Sequence, residues 1–136
     1  MNNWAPKVLG LMRILTGIMF ASHGAQKLFG VFGAMPPGVP AWIQYGAGGI
    51  EFFGGLLIAV GLFTRPVAFL ASGTMAVAYF YGHARNGTFP MAIFPKVNQG
   101  ELAVMYCWLF LYIAAAGAGA FALDNIFFRR REARTN

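Results

Sequence analysis

Four apolar segments, each approaching the length of a membrane-crossing helix, alternate along the chain with stretches of turn-forming residues. They run from about 7 to 30, 41 to 63, 66 to 82 and 100 to 123. A helix needs roughly 20 residues to cross a hydrocarbon core of about 30 Å. The prolines and glycine within 35–40 separate the first two segments, because they cannot continue a helix. The pattern predicts an all-α membrane protein built as a four-helix transmembrane bundle.

Composition indicates that lipid, rather than water, surrounds the chain. Of its 136 residues, 58% are hydrophobic and 10% are charged, and 18 residues are glycine. A soluble domain carries about 25% charged residues, whereas a bilayer accepts an apolar exterior and membrane helices are richer in glycine. We therefore expect a single membrane domain over residues 1–136, with the lipid bilayer as its main partner.

Basic residues are divided unequally between the two ends of the predicted helices. On one side lie Lys7, Arg13, Arg65 and the arginines of a basic tail over 124–136; on the other lie Lys27, Arg85 and Lys96. Because cytoplasmic loops carry an excess of Lys and Arg, we expect both termini of a multi-pass protein in the cytoplasm. We expect the membrane to be the bacterial inner membrane. No basic face is interleaved with stacking aromatic residues, so we expect no nucleic-acid partner.

Polar residues within the first two apolar segments fall on two helical stripes. A step of about 100° per residue groups Arg13, His23, Gly24 and Lys27 on the first helix, and Gln44, Gly48, Glu51 and Gly55 on the second. Glycines beside charged residues at this spacing let neighbouring backbones approach closely. We therefore expect the two stripes to face each other.

Glu51 is expected near the bilayer midplane, from a rise of about 1.5 Å per residue. An unpaired carboxylate is costly there, so we expect Glu51 to be protonated or paired with Arg13 or Lys27. One interpretation is a structural ion pair between Arg13 and Glu51 that fixes helix register, with the stripe glycines packed around it. The other is a site for a proton, an ion or a quinone headgroup.

A second polar group falls near the outer ends of the helices. Lys27 ends the first, His83 ends the third and Glu101 begins the fourth. A compact bundle would bring these residues to His23 and Glu51 around a cavity open to the outside. Aromatic residues would supply either its walls or an interfacial belt; these are Tyr45, Tyr79, Tyr81, Tyr106 and Trp108.

Some of these residues also have structural interpretations. Asn98 and Glu101 have capping-box spacing, and Lys27 suits the negative end of a helix dipole. His23, His83 and the two glutamates are metal-ligating types, but they come from separate helices without a short His-x-x-Glu spacing, so we expect no metal site.

Cys107 is the chain's sole cysteine. It allows no intrachain disulfide and no Cys-x-x-Cys pair. Redox chemistry would therefore need a bound cofactor, a partner or that lone thiol. We interpret Cys107 itself as a small buried hydrophobic residue.

Three stretches carry motifs that occur together in one family. They are LMRILTGIMFASHGAQKLFG at 11–30, GGIEFFGGLLIAVGLFTRPVA at 48–68 and NQGELAVMYCWLFLYIAAAGAGAFALD at 98–124. Together they resemble the DoxX family of small membrane proteins. The matching positions are Arg13, His23, Gly24, Lys27, Glu51, Gly54, Gly55, Gly61, Gly100, Glu101, Gly117, Gly119 and Asp124. Ala118 departs from the family, which often has proline between the two late glycines.

The resemblance implies a four-helix membrane bundle associated with redox chemistry or quinones. One relative is a subunit of a thiosulfate:quinone oxidoreductase, and others are linked to oxidative-stress membrane complexes. On this basis we expect a quinone- or redox-linked subunit of a membrane complex. Quinone is the implied cofactor, the chain itself carries none, and its partners are other membrane or redox subunits or further copies of the chain.

Two alternatives remain at this stage. The first is a non-catalytic accessory or assembly subunit, whose outer loop over 89–94 would be a docking surface. The second is a small transporter, which is less favoured because four short helices lack an inverted repeat. The sequence identifies neither a reaction nor a catalytic residue.

Overall fold

A computed structural model describes residues 4–86 and 89–132, and within these ranges the chain is helical with no β-strand. The α-helices are α1 (Ala5–Phe29), α2 (Trp42–Val60), α3 (Thr64–Val77), α4 (Pro95–Asn98), α5 (Glu101–Ala116) and α6 (Leu123–Glu132). Short 3₁₀ turns at Ala84–Asn86 and Met91–Ile93 lie between α3 and α4. The prediction of an all-α protein is confirmed.

Stretches of π-helix interrupt the regular backbone of two helices. Trp42–Ala47 and Ile50–Gly54 lie within α2, and Ala78–His83 extends α3. The π-helix is rare and is frequently found at functional sites. Here these wide turns carry Glu51 and His83, two of the candidate site residues.

Two helices, α1 and α2, are long and apolar enough to cross a membrane by length and composition. Helix α5 is apolar but has 16 residues, which correspond to a length of about 24 Å. Large apolar side chains such as Leu15, Phe69 and Trp108 are exposed on α1, α3 and α5. An apolar exterior of this kind is what lipid, rather than water, accommodates.

The helices pack mainly in two pairs, α1 against α2 and α3 against α5. The core between the pairs is apolar and receives side chains from all four helices. It includes Phe20, Ile58, Ala68, Ala71, Met75, Tyr106, Phe110 and Ile113. This packing brings the polar stripes of α1 and α2 within reach of α3 and α5.

Glycines allow the backbones of α1 and α2 to touch. A Cβ atom added at Gly17 would lie 2.7 Å from the carbonyl oxygen of Gly55, and one at Gly55 would lie 2.6 Å from that of Gly17. About two turns along α1, a Cβ at Gly24 would overlap the backbone of Phe52 and lie 2.7 Å from the carbonyl oxygen of Gly48. The two stripes therefore lie against each other.

Helix α5 ends at Ala116, whereas we predicted that it would continue to 123. Gly117 leaves the helix with φ 96°, and Arg65 of α3 binds the carbonyls at the end of α5. Its guanidinium donates to Ala114 O at 3.1 Å and Ala115 O at 2.7 Å. Helix-end carbonyls lack intrahelical partners, so Arg65 stabilises the early end of α5.

The predicted basic tail over 124–136 begins within a further helix. Residues 123–132 form α6, and residues 133–136, which include Arg134, lie outside the described residues. The carboxylate of Asp124 accepts hydrogen bonds from the backbone N–H groups of Phe63 at 2.8 Å and Thr64 at 2.9 Å. Asp124 thus caps the start of α3.

Arg13 was one of two expected partners of Glu51, but the structure gives it carbonyl acceptors instead. Its fully buried guanidinium donates to Ile58 O and Ala59 O at the end of α2, both at 2.6 Å. It also donates to the loop between α5 and α6, at Ala118 O, Ala120 O and Phe121 O. Arg13 therefore joins α1, the end of α2 and the loop after α5 through backbone carbonyls.

Candidate functional site

Lys27 and Glu51 form an ion pair between α1 and α2. The Lys27 ammonium donates to both carboxylate oxygens of Glu51. Glu51 is 2% exposed and the Lys27 side chain 20% exposed. Lys27 can lie against α2 because Gly48 has no side chain; a Cβ there would stand 2.9 Å from the Lys27 Cβ. The pairing compensates a buried carboxylate that would be costly alone.

His23 lies one turn before Lys27 and contacts Tyr106 of α5. The two ring centroids are 6.1 Å apart, and the rings are nearly perpendicular at 86°. Tyr106 is stacked on Phe110 at 5.6 Å and packs against Phe20 at 5.7 Å. Its buried hydroxyl has no hydrogen-bond partner among the described residues.

His83 is held by the segment that precedes α5. Its Nδ1 lies 3.1 Å from the carbonyl oxygen of Asn98. The Asn98 side chain donates to Ala92 O at 2.7 Å and accepts from Gly100 N–H at 2.8 Å. Residues 89–99, here called the outer strap, are thereby folded over the end of α3.

Glu101 was predicted to join these residues, but the structure places it outside the group. The capping box with Asn98 does not form, because α5 begins at Glu101 itself and Asn98 binds Gly100 N–H. Glu101 is exposed and is not among the residues that line the cavity beside it. Its neighbours Gln99, Leu102 and Ala103 line that cavity instead.

A cavity of about 250 Å³ lies between α1, α2, α3 and α5 and is here called the inner cavity. Its polar lining consists of His23, Lys27, Glu51, His83, Gln99 and Tyr106. Phe20, Met75 and Ala78 are among its apolar lining residues. The structure thus brings four of the five predicted site residues to one cavity and leaves out Glu101.

A larger and mostly apolar groove of about 670 Å³ runs between α2 and α3. Its walls include Ile43, Ile50, Phe69, Leu70 and Val77. Phe69, Leu70 and Val77 are also exposed on the protein surface, so this apolar groove is open to the surroundings of the bundle. At its polar end it reaches Lys27, Glu51 and His83.

The inner cavity and the apolar groove share those three polar residues, together with Ala78. The Lys27–Glu51 pair therefore lies at the junction of a small polar space and a larger apolar space. The inner cavity presents a carboxylate, an ammonium, two imidazoles and a phenol. These groups can exchange protons and hydrogen bonds with a ligand, but none of them carries electrons.

Within the described ranges, no group of three or more His, Cys, Asp or Glu side chains is placed to hold a metal ion. Cys107 is half-buried on α5 and lies away from the cavity lining. Its carbonyl accepts a hydrogen bond from the Ser72 hydroxyl at 2.8 Å. This contact joins α5 to α3.

Sequence reasoning left the role of Tyr106 open and missed Gln99. The interfacial-belt interpretation does not hold for Tyr106, which is buried. A signal was present in the spacing of the buried residues of α5, which are Ala103, Tyr106, Phe110 and Ile113. Their alternating separations of three and four residues are those of one helix face. Gln99 follows a short helix in a left-handed conformation with φ 58°, and no sequence pattern indicated it.

Comparison with known proteins gives a family match and two relatives. The model of the DoxX family matches residues 8–84, the part of the chain that supplies His23, Lys27, Glu51 and His83. An uncharacterized protein of Haemophilus influenzae is 43% identical over 141 residues, covering 96% of this chain and 100% of the relative. A Bacillus subtilis protein named "Putative oxidoreductase CatD" is 28% identical over 126 residues, covering 90% of this chain and 88% of the relative. No solved structure matches the chain.

Proposed function

Because the chain belongs to the DoxX family of membrane proteins, we propose that it binds a quinone and serves as a redox-linked subunit of a membrane complex. The name of the Bacillus subtilis relative, which includes the word oxidoreductase, supports a redox connection. The stronger support comes from the shape and chemistry of the site.

The position of the Lys27–Glu51 pair is the observation that carries this proposal. The pair lines both the inner cavity of about 250 Å³ and the apolar groove of about 670 Å³. Pockets for whole drug-sized ligands usually measure about 300 to 1,000 Å³, so the inner cavity suits only the polar head of a ligand. The apolar groove suits a hydrocarbon tail. A quinone with an apolar tail has both parts.

The proposed chemistry is proton exchange at the quinone head. Reduction of a quinone to a quinol takes up two electrons and two protons. Glu51 and His23 or His83 would exchange the protons, and Lys27 would pair with the Glu51 carboxylate between transfers. The electrons would come from a redox-active partner subunit, since the side chains that line the cavity carry none.

We predict that the protein purified in mild detergent retains about one quinone per chain, and that Glu51→Gln loses most of it. The substitution removes both the proton acceptor and the anchor of Lys27. Glu101→Gln is the matched control, because it makes the same chemical change on an exposed residue outside the cavity. Extraction and chromatography of bound quinone measure the outcome, alongside the thermal midpoint of each variant.

Full retention of quinone by a folded Glu51→Gln variant would contradict the proposal that quinone binds at Glu51. If Glu51→Gln unfolds because Lys27 is left unpaired, the double variant Lys27→Gln with Glu51→Gln removes both charges. That variant restores an uncharged interface, and we expect it to fold and still lack quinone.

A second candidate function is a non-catalytic accessory subunit. The outer strap favours it, because Met91, Ile93, Phe94 and Val97 are exposed apolar residues on one short segment. Such a patch is typical of a protein interaction site. A tightly bound polypeptide in one-to-one amount, together with no quinone in the wild-type protein, would support this candidate over the first.

We also propose that four helices cross the bacterial inner membrane with both termini in the cytoplasm. Helices α1 and α2 have the length and composition expected of two of these spans; α3 with its extension, and α5, would supply the others. In a Cys107→Ala background, we predict that Phe32→Cys reacts with an impermeant maleimide on spheroplasts. Trp4→Cys should react only after permeabilisation. Labelling of Trp4→Cys on intact spheroplasts would contradict the orientation.

A further inference from the structure

Tyr106 carries a buried polar atom that nothing in the described chain satisfies. The residue is 5% exposed, and its hydroxyl has no hydrogen-bond partner among residues 4–86 and 89–132. Buried polar groups are nearly always hydrogen-bonded, so an exception calls for a partner or for a functional reason. Because Tyr106 lines the inner cavity, a molecule in that cavity is the natural partner.

The ring of Tyr106 is fixed on several sides. Phe110 stacks on it with an interplanar angle of 15°, Phe20 packs at a tilt of 46°, and His23 meets it nearly at a right angle. A ring held by these contacts cannot swing its hydroxyl to another partner without disturbing the core. The ring is therefore held in one orientation before any ligand arrives, and a ligand that reaches the buried hydroxyl has to displace the cavity side chains that cover it.

Other tyrosines of the chain differ from Tyr106 in this respect. The hydroxyl of Tyr79 donates to Ile93 O, and Tyr45, Tyr81 and Tyr112 are exposed. The side-chain hydroxyl of Thr64, the first residue of α3, also lacks a hydrogen-bond partner among the described residues. Thr64, however, lines neither the inner cavity nor the apolar groove. Among these residues, Tyr106 thus combines an unpaired buried hydroxyl with a position in the lining of the inner cavity.

We propose that Tyr106 donates a hydrogen bond to a carbonyl oxygen of the quinone head and so selects ligands that carry such an acceptor. This inference rests on the proposed quinone function and deepens it by naming a contact from α5, outside the family-matched range of 8–84. A phenol hydroxyl can donate to a carbonyl. The Lys27 ammonium in the same cavity supplies a second donor for the other carbonyl.

The test compares Tyr106→Phe with wild type, using decylubiquinone as the ligand and decylbenzene as a probe of similar shape without carbonyls. Tyr106→Phe keeps the ring stack and removes only the hydroxyl. We expect it to weaken decylubiquinone binding about 3- to 10-fold, which is the usual effect of one hydrogen bond. Decylbenzene binding should not change. Tyr112→Phe, on the exposed face of the same helix, is the matched control.

The thermal stability of Tyr106→Phe gives a second measurement. It distinguishes a hydroxyl that binds ligand from one that only stabilises the fold. Without ligand, Tyr106→Phe should be at least as stable as wild type, because no internal hydrogen bond is lost. The increase in thermal midpoint caused by decylubiquinone should be smaller in the variant. A ligand-free Tyr106→Phe that is clearly less stable than wild type would overturn the inference.

The failures of the two proposals can be told apart. If wild type binds decylubiquinone and Tyr106→Phe binds it equally well, the role of Tyr106 is overturned while the quinone function stands. If wild type does not distinguish decylubiquinone from decylbenzene, both proposals are overturned. A selective loss of decylubiquinone affinity in Tyr106→Phe supports both.

Discussion

Replacing Arg13 with glutamine should lower the free energy of unfolding by about 3 to 5 kcal/mol, the cost expected when a buried charged network is broken. The Arg13 guanidinium is fully buried and donates to five carbonyls, at Ile58, Ala59, Ala118, Ala120 and Phe121. A glutamine amide has two N–H donors and a shorter side chain, so most of these carbonyls would lose their partner. Thermal and denaturant unfolding in detergent, followed by circular dichroism, measure the effect.

Two further variants show whether the carbonyl contacts are responsible. Arg13→Lys keeps the charge but offers a compact ammonium with three donors, and we expect it to be nearly as unstable as Arg13→Gln. Arg65→Gln removes an exposed guanidinium from the end of α5 and should cost only about 1 kcal/mol. A thermal midpoint of Arg13→Gln equal to that of wild type would contradict this account.

Arg13 also shows why one of the two expected partners of Glu51 was wrong, whereas the other, Lys27, forms the ion pair. The prediction matched a buried cation with the nearest buried anion, which is the usual rule for charges in a membrane. The acceptors of Arg13 are backbone carbonyls, which become available only where α2 ends and where the chain turns after α5. Gly117 and Gly119 have positive φ values of 96° and 66°. That glycine pair marked the turn, although we read it as part of a continuous helix.

The contact between α1 and α2 could be predicted because it depends on helical periodicity alone. Positions three or four residues apart share a face, so the glycine stripes follow directly from residue numbers. The same reasoning limited the partner of Glu51 to Arg13 or Lys27. Choosing between these two required knowing where the backbone carbonyls around Arg13 lie. Residue spacing carries no information about their positions.

The contributions of α5 and the outer strap to the site were harder to predict. Spacing gives the faces of a helix, but not which neighbour each face meets. The sequence therefore indicates Glu101 as a candidate site residue and Tyr106 only as a wall or belt residue, although of the two only Tyr106 lines the inner cavity. The strap adds Gln99 and fixes His83 through the backbone carbonyl of Asn98. Because every residue has a backbone carbonyl, a contact of this kind cannot be predicted from residue types.

Gly24→Ala should separate α1 from α2 and destabilise the protein by about 2 to 3 kcal/mol, within the range for overpacking a close contact. The added Cβ would overlap the backbone of Phe52 and lie 2.7 Å from the carbonyl oxygen of Gly48. Backbone atoms cannot move aside as the end of a flexible side chain can, so the helices must shift. Because Lys27 lies about one turn further along α1, the shift should also disturb its pairing with Glu51. Bound quinone and the thermal midpoint should therefore fall together.

Gly49→Ala is the matched control on the opposite helix. A Cβ at Gly49 would meet nothing within 4 Å, and alanine is favoured over glycine in a helix by up to about 1 kcal/mol. Gly49→Ala should therefore be as stable as wild type or slightly more stable, and should retain its quinone. If Gly24→Ala behaves in the same way, the close approach of the two backbones is not what holds Lys27 against Glu51. If both variants lose stability equally, the cost lies in the loss of glycine flexibility within α1 and α2 rather than in their contact.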